Sequence, residues 1–155
     1  MTQQRYPKAR AAVAKAAGLL AAAMLLSAAP APAGEIPVSL GAVAAGKAGP
    51  EVGGQLRSLL KSELSSADFA GIKSGERYVL SANLVKLESV RSTERVRTTC
   101  VVSVVLTRHR GATLYALING RGTAEDARAQ ADATQSDALR AAVHSAMVRV
   151  PKALR

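Results

Sequence analysis

The sequence predicts an α+β domain, a two-layer sandwich with the element order βαβββα, in which an antiparallel meander packs against two helices. Three runs between residues 78 and 119 alternate apolar and polar residues with the period of a strand. Two other segments, one before these runs and one after them, repeat their apolar residues at helical spacing. Because the links between the three runs are short, successive strands must turn back antiparallel. We expect both helices to cover one face of the sheet, since the other face is more polar in sequence.

The first 33 residues are predicted to be a cleavable Sec-type signal peptide, followed by a single small α/β domain from residue 34 to 155. The residues before Ala16 include basic side chains and no acidic one, and an apolar run of 14 residues, Ala16 to Ala29, follows them. This run is shorter than the roughly 20 residues of a membrane-spanning helix. Small residues then favour cleavage after Ala33, and an uncleaved anchor is the alternative. A lipid anchor is not expected, because the single cysteine, Cys100, lies far from the apolar run. The predicted location is periplasmic or secreted, with no transmembrane segment after cleavage.

Without this segment the chain is moderately basic. It carries 21 Lys and Arg against 11 Asp and Glu, and four of the basic residues lie in the first 33, so the remainder has 17 against 11, a net of +6. This excess is too small for a dedicated nucleic-acid-binding protein, and we expect no nucleic-acid partner. It does favour contact with anionic surfaces such as polysaccharide or lipid headgroups.

The domain is predicted to begin with a strand from Ile36 to Val43 and a helix that starts at Pro50. Proline is favoured in a first helical turn, and a Gly- and Ala-rich link from Ala44 to Pro50 precedes it. The helix carries one apolar stripe, formed by Val52, Leu56, Leu59, Leu60 and Leu64. Glu63 falls inside this stripe and is interpreted as a last-turn residue whose carboxylate reaches solvent. A buried carboxylate with a shifted pKa is the alternative.

Three strands are predicted after a turn from Gly71 to Gly75. They run from Tyr78 to Leu87, from Val96 to Leu106 and from Thr113 to Asn119. The middle run is the clearest strand, because one face of it carries Val96, Cys100, Val102, Val104 and Leu106. Cys100 has no partner for an internal disulfide, and we expect it to be buried as a small hydrophobic residue.

A second helix is predicted to close the domain. Gly120 and Gly122 are interpreted as the end of the sheet, and the segment from Thr123 to Ala133 as a loop or frayed helix. The sequence from Thr134 to Asp137 has the form of a capping box, with Thr134 as the N-cap. The apolar stripe of the helix consists of Leu139, Ala142, Val143, Ala146, Met147 and Val150. Pro151 is predicted to end the helix.

No catalytic motif is evident. The segment Gly41 to Ala48 resembles the first part of a phosphate-binding loop, but Ala48 stands where Ser or Thr would hold magnesium, so the segment is interpreted as a flexible link. The histidines His109 and His144 lack metal-binding spacing and are interpreted as surface residues. We therefore expect no metal, no cofactor and no assigned catalytic residue. A hydrolase with scattered residues stays open, and His144 and Glu63 are then the first residues to consider.

The most distinctive surface feature is basic. Six basic residues flank the predicted hairpins, namely Arg91, Arg95 and Arg97 at the first and Arg108, His109 and Arg110 at the second. Since successive hairpins of a meander turn at opposite ends of a sheet, we expect two separate patches. Guanidinium groups suit carboxylates and phosphates, so the patches are predicted to contact an anionic partner. Ordinary solubilising charge at the turns is the alternative.

Five segments carry a family resemblance, and they are Ile36 to Leu40, Val52 to Leu64, Tyr78 to Ser81, Val101 to Leu106 with the hairpin at Gly111, and Ala138 to Met147. In this order they resemble the TolB amino-terminal type of domain, which several envelope assembly lipoproteins share, including the curli secretion family. The resemblance implies an α/β sandwich used for docking or assembly in the periplasm, usually without catalysis. Because the chain lacks a lipid-bearing cysteine and any attached propeller or pore-forming region, neither membrane anchoring nor secretion activity is implied.

We therefore expect an exported, non-enzymatic binding or envelope-assembly module. Its expected partner is an envelope protein or an anionic envelope polymer, and homodimerisation through a sheet edge is a further expectation. The alternatives are a secreted polyanion-binding or inhibitor-like factor and a hydrolase with an unrecognised site. A helix followed by a meander also suits cystatin-like inhibitors, although the closing helix argues against them.

Overall fold

Four strands form one sheet in the order β1-β2-β3-β4 in the computed structural model, which describes residues 37–72 and 75–155. The strands are β1 (Val38–Ala44), β2 (Tyr78–Arg91), β3 (Arg95–Arg108) and β4 (Leu114–Ala127), and the helices are α1 (Gly49–Ser66), α2 (Ala131–Met147) and the short α3 (Val150–Ala153). The pair β1 and β2 is parallel, and the other two pairs are antiparallel. The predicted βαβββα order and the meander are therefore confirmed. The predicted signal peptide and Ile36 lie outside the described residues.

Both long helices pack on the same face of the sheet, as predicted. One core joins the buried residues of α1 to those of α2 and to the inward side chains of the sheet. Leu60 of α1, Leu139 of α2 and Val102 of β3 are completely buried in it, and burial of each such side chain contributes roughly 1.5–3 kcal/mol. Cys100 is also completely buried, and this burial raises the pKa of its thiol to about 11.

The predicted end of the sheet at Gly120 and Gly122 is wrong, because β4 continues through both glycines to Ala127. The two glycines mark a close approach of α2. A Cβ atom on Gly120 would lie 2.1 Å from the carbonyl oxygen of Ala142, and one on Gly122 would lie 2.2 Å from that of Ala138. Only glycine lets the helix backbone come this near to the strand.

Two predictions at the ends of α2 are also wrong. The helix begins at Ala131, three residues before the predicted N-cap, and the Thr134 hydroxyl lies inside it and donates to the carbonyl oxygen of Gln130 at 2.7 Å. A hydrogen bond to the carbonyl oxygen four residues earlier satisfies a threonine hydroxyl inside a helix. The helix starts earlier than predicted because the alanines around Asp132 have a high helix propensity. Pro151 lies in the first turn of α3 rather than directly ending α2, because the missing N–H of proline leaves nothing unsatisfied there.

The face of the sheet opposite the helices is mixed rather than simply polar. Val85 and Leu117 are 59% and 61% exposed, and they lie among exposed polar residues such as Asn83 and Arg121. Along the described chain, no helix combines the length and apolar character that a membrane span requires.

Candidate functional site

The six basic residues singled out in the sequence fall at opposite ends of the sheet. Arg91 pairs with Val96 at one end of the hairpin between β2 and β3, and Arg108 pairs with Tyr78 at the other end. Strands of 14 residues separate the two groups, which at about 3.4 Å per residue corresponds to roughly 45 Å. The two groups therefore do not form one surface.

A carboxylate neutralises much of the group at the first hairpin. The guanidinium of Arg97 lies 2.6 Å from Glu125 of β4, and that of Arg95 lies 3.3 Å from it. Hydrogen bonds from the two arginines, with the larger contribution from Arg97 and the smaller from Arg95, hold the pKa of Glu125 below its usual range. All three side chains reach solvent, so screening by water keeps the contribution of each pair to stability small. Arg91, the third basic residue at this hairpin, is exposed to solvent and is not one of the two arginines that pair with Glu125.

The group at the second hairpin lines a cleft, which we call the loop cleft. The loop cleft has a volume of about 740 Å³ and is lined by Gly75, Glu76, Arg77, Arg108, His109 and Arg110. The segment that leads into β2 forms one wall, and the hairpin between β3 and β4 forms the other. The two walls are joined where the His109 N–H donates to the carbonyl oxygen of Arg77 at 2.8 Å. This bond continues the strand pairing into the loops and fixes their relative position.

A chain of side-chain contacts orients Arg108 at the cleft. Its guanidinium carbon lies 5.5 Å from the ring centre of Tyr115, in the range of a cation–π contact. The Tyr115 ring meets the ring of Tyr78 edge to face, with centroids 5.0 Å apart, and the Tyr78 hydroxyl donates to the carboxylate of Glu76. The pKa of Tyr78 is raised to about 12, mainly because the phenol is buried and next because it lies beside the Glu76 carboxylate. The phenol therefore stays a neutral donor.

The lining of the loop cleft is mostly basic. Among the described residues, three arginines and a histidine line it together with the carboxylate of Glu76, which accepts the Tyr78 hydroxyl. Clustered guanidinium groups bind carboxylates and phosphates through paired, charge-assisted hydrogen bonds. Across residues 37–72 and 75–155, no group of three His, Cys, Asp or Glu side chains is arranged to hold a metal ion. A cluster of guanidinium groups of this kind suits an anion such as a carboxylate or phosphate.

The sequence pattern predicts one wall of this cleft, formed by Arg108, His109 and Arg110, but not the wall formed by Glu76 and Arg77. The antiparallel register of a short hairpin indicates the second wall, because it places the start of β2 beside the end of β3. Tyr115, whose ring contacts Arg108, lies at a register shift in the pairing of β3 with β4, which the residue pattern does not reveal.

The two residues considered for a hydrolase also meet. His144 Nδ1 lies 3.2 Å from Glu63 Oε2 across the ends of α1 and α2, beside a groove of about 340 Å³. The side chain of His144 is 64% exposed and that of Glu63 is 28% exposed, so the carboxylate reaches solvent. Ser66, which also lines this groove, donates its hydroxyl to the backbone carbonyls of Ser62 and Glu63. Its hydroxyl is therefore engaged by the helix backbone rather than by the His144 imidazole.

No protein-family model matches the chain, and no curated protein matches it. Solved structures similar to the chain include a candidate lipoprotein from Caulobacter crescentus, 18% identical over 76% of this chain and 87% of that one, with a TM-score of 0.49. A minor lipoprotein from Acinetobacter baumannii is 12% identical over 76% and 92%, with a TM-score of 0.49. A hypothetical protein from Chlamydia trachomatis is 11% identical over 76% and 94%, with a TM-score of 0.42.

At these identities and TM-scores the likeness does not bear on function. The resemblance to TolB amino-terminal domains stays a prediction.

Proposed function

We propose that this protein is an exported, non-enzymatic binding module of the bacterial envelope that docks an anionic partner at the loop cleft. The partner is an envelope protein with an exposed acidic segment or an anionic envelope polymer, and the group recognised is a carboxylate or phosphate. The observation that carries the proposal is the convergence of Arg77, Arg108, His109 and Arg110 on one cleft whose lining includes one carboxylate. The predicted signal peptide supports the export.

Three features favour the loop cleft over the other basic group. Its cations face a recess rather than a flat surface, so a bound anion meets donors from two walls. The cation–π contact with Tyr115 holds Arg108 in one orientation, which reduces the conformational entropy lost on binding. Glu125, in contrast, already pairs with Arg95 and Arg97, so an anion at the first hairpin must compete with a carboxylate of the chain itself.

Titration with two defined polyanions tests the proposal. We expect the purified protein to bind poly-L-glutamate or inorganic polyphosphate at about 0.15 M salt, where exposed charges are screened beyond about 8 Å, and not to bind neutral dextran. The double variant Arg108→Ala with Arg110→Ala is expected to bind at least about tenfold more weakly, because each lost charge-assisted bond costs about 1.5 kcal/mol or more. Isothermal titration calorimetry measures both affinities.

A charge-matched variant separates the cleft from net charge. Arg57→Ala with Arg140→Ala removes the same charge from exposed positions on α1 and α2, and we expect it to lower the affinity by less than about threefold. If both double variants weaken binding equally, the loop cleft is not the site. If neither polyanion binds at all, the proposed recognition of an anion is wrong.

A further inference from the structure

The outer face of the sheet, on the side away from the helices, carries an uncharged and largely aliphatic patch next to the loop cleft. We call it the outer patch, and its side chains come from two successive rows of the strand pairing. The first row is Val79, Thr107 and Leu114, and the second is Ser81, Val105 and Leu117. Both long helices pack on the opposite face, so the outer patch points away from the core.

The two leucines protrude from the outer patch. Leu114 and Leu117 are each 61% exposed, and Val85, which lies farther along β2, is 59% exposed. Single exposed aliphatic residues are ordinary on a soluble protein, whereas neighbouring ones on one face mark a contact surface. Tyr115 lies between the leucines in sequence and is partly exposed, with its ring against Arg108. The aliphatic surface therefore continues into an aromatic ring that holds a cation.

Basic residues lie beyond both ends of the outer patch. At one end is the loop cleft with its arginines, since the pairing of Arg108 with Tyr78 directly precedes the first row. At the other end, one uncharged row around Ser103 separates the patch from Lys86 and Arg121. An apolar surface with cations at both ends is complementary to a partner that is both apolar and negatively charged.

The outer face as a whole is basic when every charged side chain on its strands is counted. Glu88 pairs with Lys86 on this face. Glu125 pairs with both Arg95 and Arg97. With Arg121, the face carries four basic side chains against two carboxylates, a net of +2. A second copy of the chain would bring two such faces together, and their like charges disfavour that contact.

We propose that the outer patch is a membrane-docking surface whose partner is a lipid bilayer that contains acidic phospholipids. Leu114 and Leu117 enter the apolar layer beneath the headgroups, and the arginines at the ends of the patch contact the lipid phosphates. Tyr115 fits the boundary between the two layers, because its ring is apolar and its hydroxyl is polar. This inference goes beyond the proposed function, since the aliphatic patch carries it rather than the loop cleft.

The size and charge distribution of the patch favour a bilayer over a protein partner. A specific protein interface takes about 20–30 residues on each side, whereas the outer patch has six residues, of which two protrude. Its cations lie at its ends rather than among its aliphatic side chains. A bilayer surface has the matching arrangement, with anionic groups around an apolar layer, and a few inserted side chains with several cations suffice for reversible binding.

Vesicle flotation tests the proposal, with protein made from the full chain and recovered after export. We expect binding to vesicles of equal parts phosphatidylglycerol and phosphatidylcholine at about 0.15 M salt. Binding to vesicles of phosphatidylcholine alone should be at least about tenfold weaker, because these vesicles have no net charge. Leu114→Thr with Leu117→Thr should weaken binding to the anionic vesicles at least about tenfold, because threonine retains strand propensity but offers little aliphatic surface to bury.

A matched variant controls for the loss of exposed aliphatic residues in general. Val90→Thr with Val148→Thr removes two exposed valines outside the outer patch, and we expect it to change the binding to anionic vesicles by less than about threefold. The leucine variant should also keep its affinity for poly-L-glutamate or polyphosphate within about threefold, because it leaves the arginines of the loop cleft in place. Vesicle binding and polyanion binding are thereby measured independently.

Tryptophan fluorescence shows whether the outer patch enters the lipid. The chain has no tryptophan of its own, so Leu117→Trp introduces a single reporter. Its emission should shift to the blue when anionic vesicles are added, because the indole leaves water. Val90→Trp, at the far end of β2, is the control and should keep its emission.

Three results would each overturn the membrane proposal, namely no binding to anionic vesicles, an unchanged affinity of the leucine variant, and an unshifted emission of Leu117→Trp. A blue shift of Leu117→Trp that grows with protein concentration in the absence of lipid would also overturn it, because a second copy would then cover the patch. The proposed function fails on a different result, the absence of polyanion binding.

Discussion

Single residues decide how closely the two layers of this domain approach. Gly120 and Gly122 are buried on β4 beneath α2, and no side chain fits at either position. Gly54, on the exposed side of α1, has open space around it. The same residue type is therefore required at two positions by the approach of a helix and is dispensable at a third.

Replacing Gly120 with alanine should destabilise the domain strongly. The added methyl group would overlap the carbonyl oxygen of Ala142, so α2 must shift, and we expect a loss of about 3 kcal/mol or more in the free energy of unfolding. Gly54→Ala is the control and should raise that free energy by about 0.5–1 kcal/mol, because alanine favours an exposed helix. Urea denaturation followed by circular dichroism measures both. An equal effect of the two substitutions would contradict the close contact of α2 with β4.

Two buried acids should make the domain less stable in alkali. Burial raises the pKa of Cys100 from 9.0 to about 11 and contributes most to raising that of Tyr78 from 10.0 to about 12. Stability from these groups is complete below about pH 9 and falls as pH rises to about 12, because the unfolded chain releases protons that the folded chain retains. The loss is at most about 2–3 kcal/mol for each group.

Denaturation at a series of pH values checks this slope. Tyr78→Phe should flatten the part between about pH 10 and 12, and Cys100→Ala the part between about pH 9 and 11. Comparison with the unchanged protein removes the contribution of the other titrating groups. An identical slope in all three proteins would show that neither buried group carries the effect.

At the scale of elements, α1 and α2 meet through apolar stripes and through one polar contact at their ends. The stripes are buried, whereas the pair of Glu63 and His144 lies at the surface, with the imidazole 64% exposed. A contact of this kind orients two helix ends without adding much stability. The contact gives both residues a structural role at the helix ends.

A double-mutant cycle measures that contact. Glu63→Gln, His144→Gln and the double variant should give a coupling energy below about 1 kcal/mol in the free energy of unfolding. The pair is too exposed for a larger value. A coupling well above this limit would mean that the pair is held more rigidly than a surface contact, and the groove beside it would then merit a search for hydrolase activity.

At the scale of the whole molecule, one sheet positions everything that the proposals use. The hairpin register puts the loop cleft at one end of the meander, and β4 forms one edge of the described sheet.

Local patterns in the sequence determined the architecture and half of the candidate cleft. Alternation in the strands and helical spacing in α1 and α2 are consequences of which residues are buried, so they predict the elements, their order and the face that the helices cover. They also predict the basic hairpin at Arg108, His109 and Arg110, because short links between strands mark the turns.

Only the tertiary structure decided the rest, because it depends on contacts between residues far apart in the chain. The sequence predicts a strand end at Gly120, whereas in the structure α2 lies directly on this residue. The sequence likewise predicts a basic patch at Arg95 and Arg97, whereas in the structure both bind Glu125, which is about 30 positions away in the chain. Register and packing, which no local pattern encodes, place Arg77 on the wall of the loop cleft and the Tyr115 ring beside Arg108.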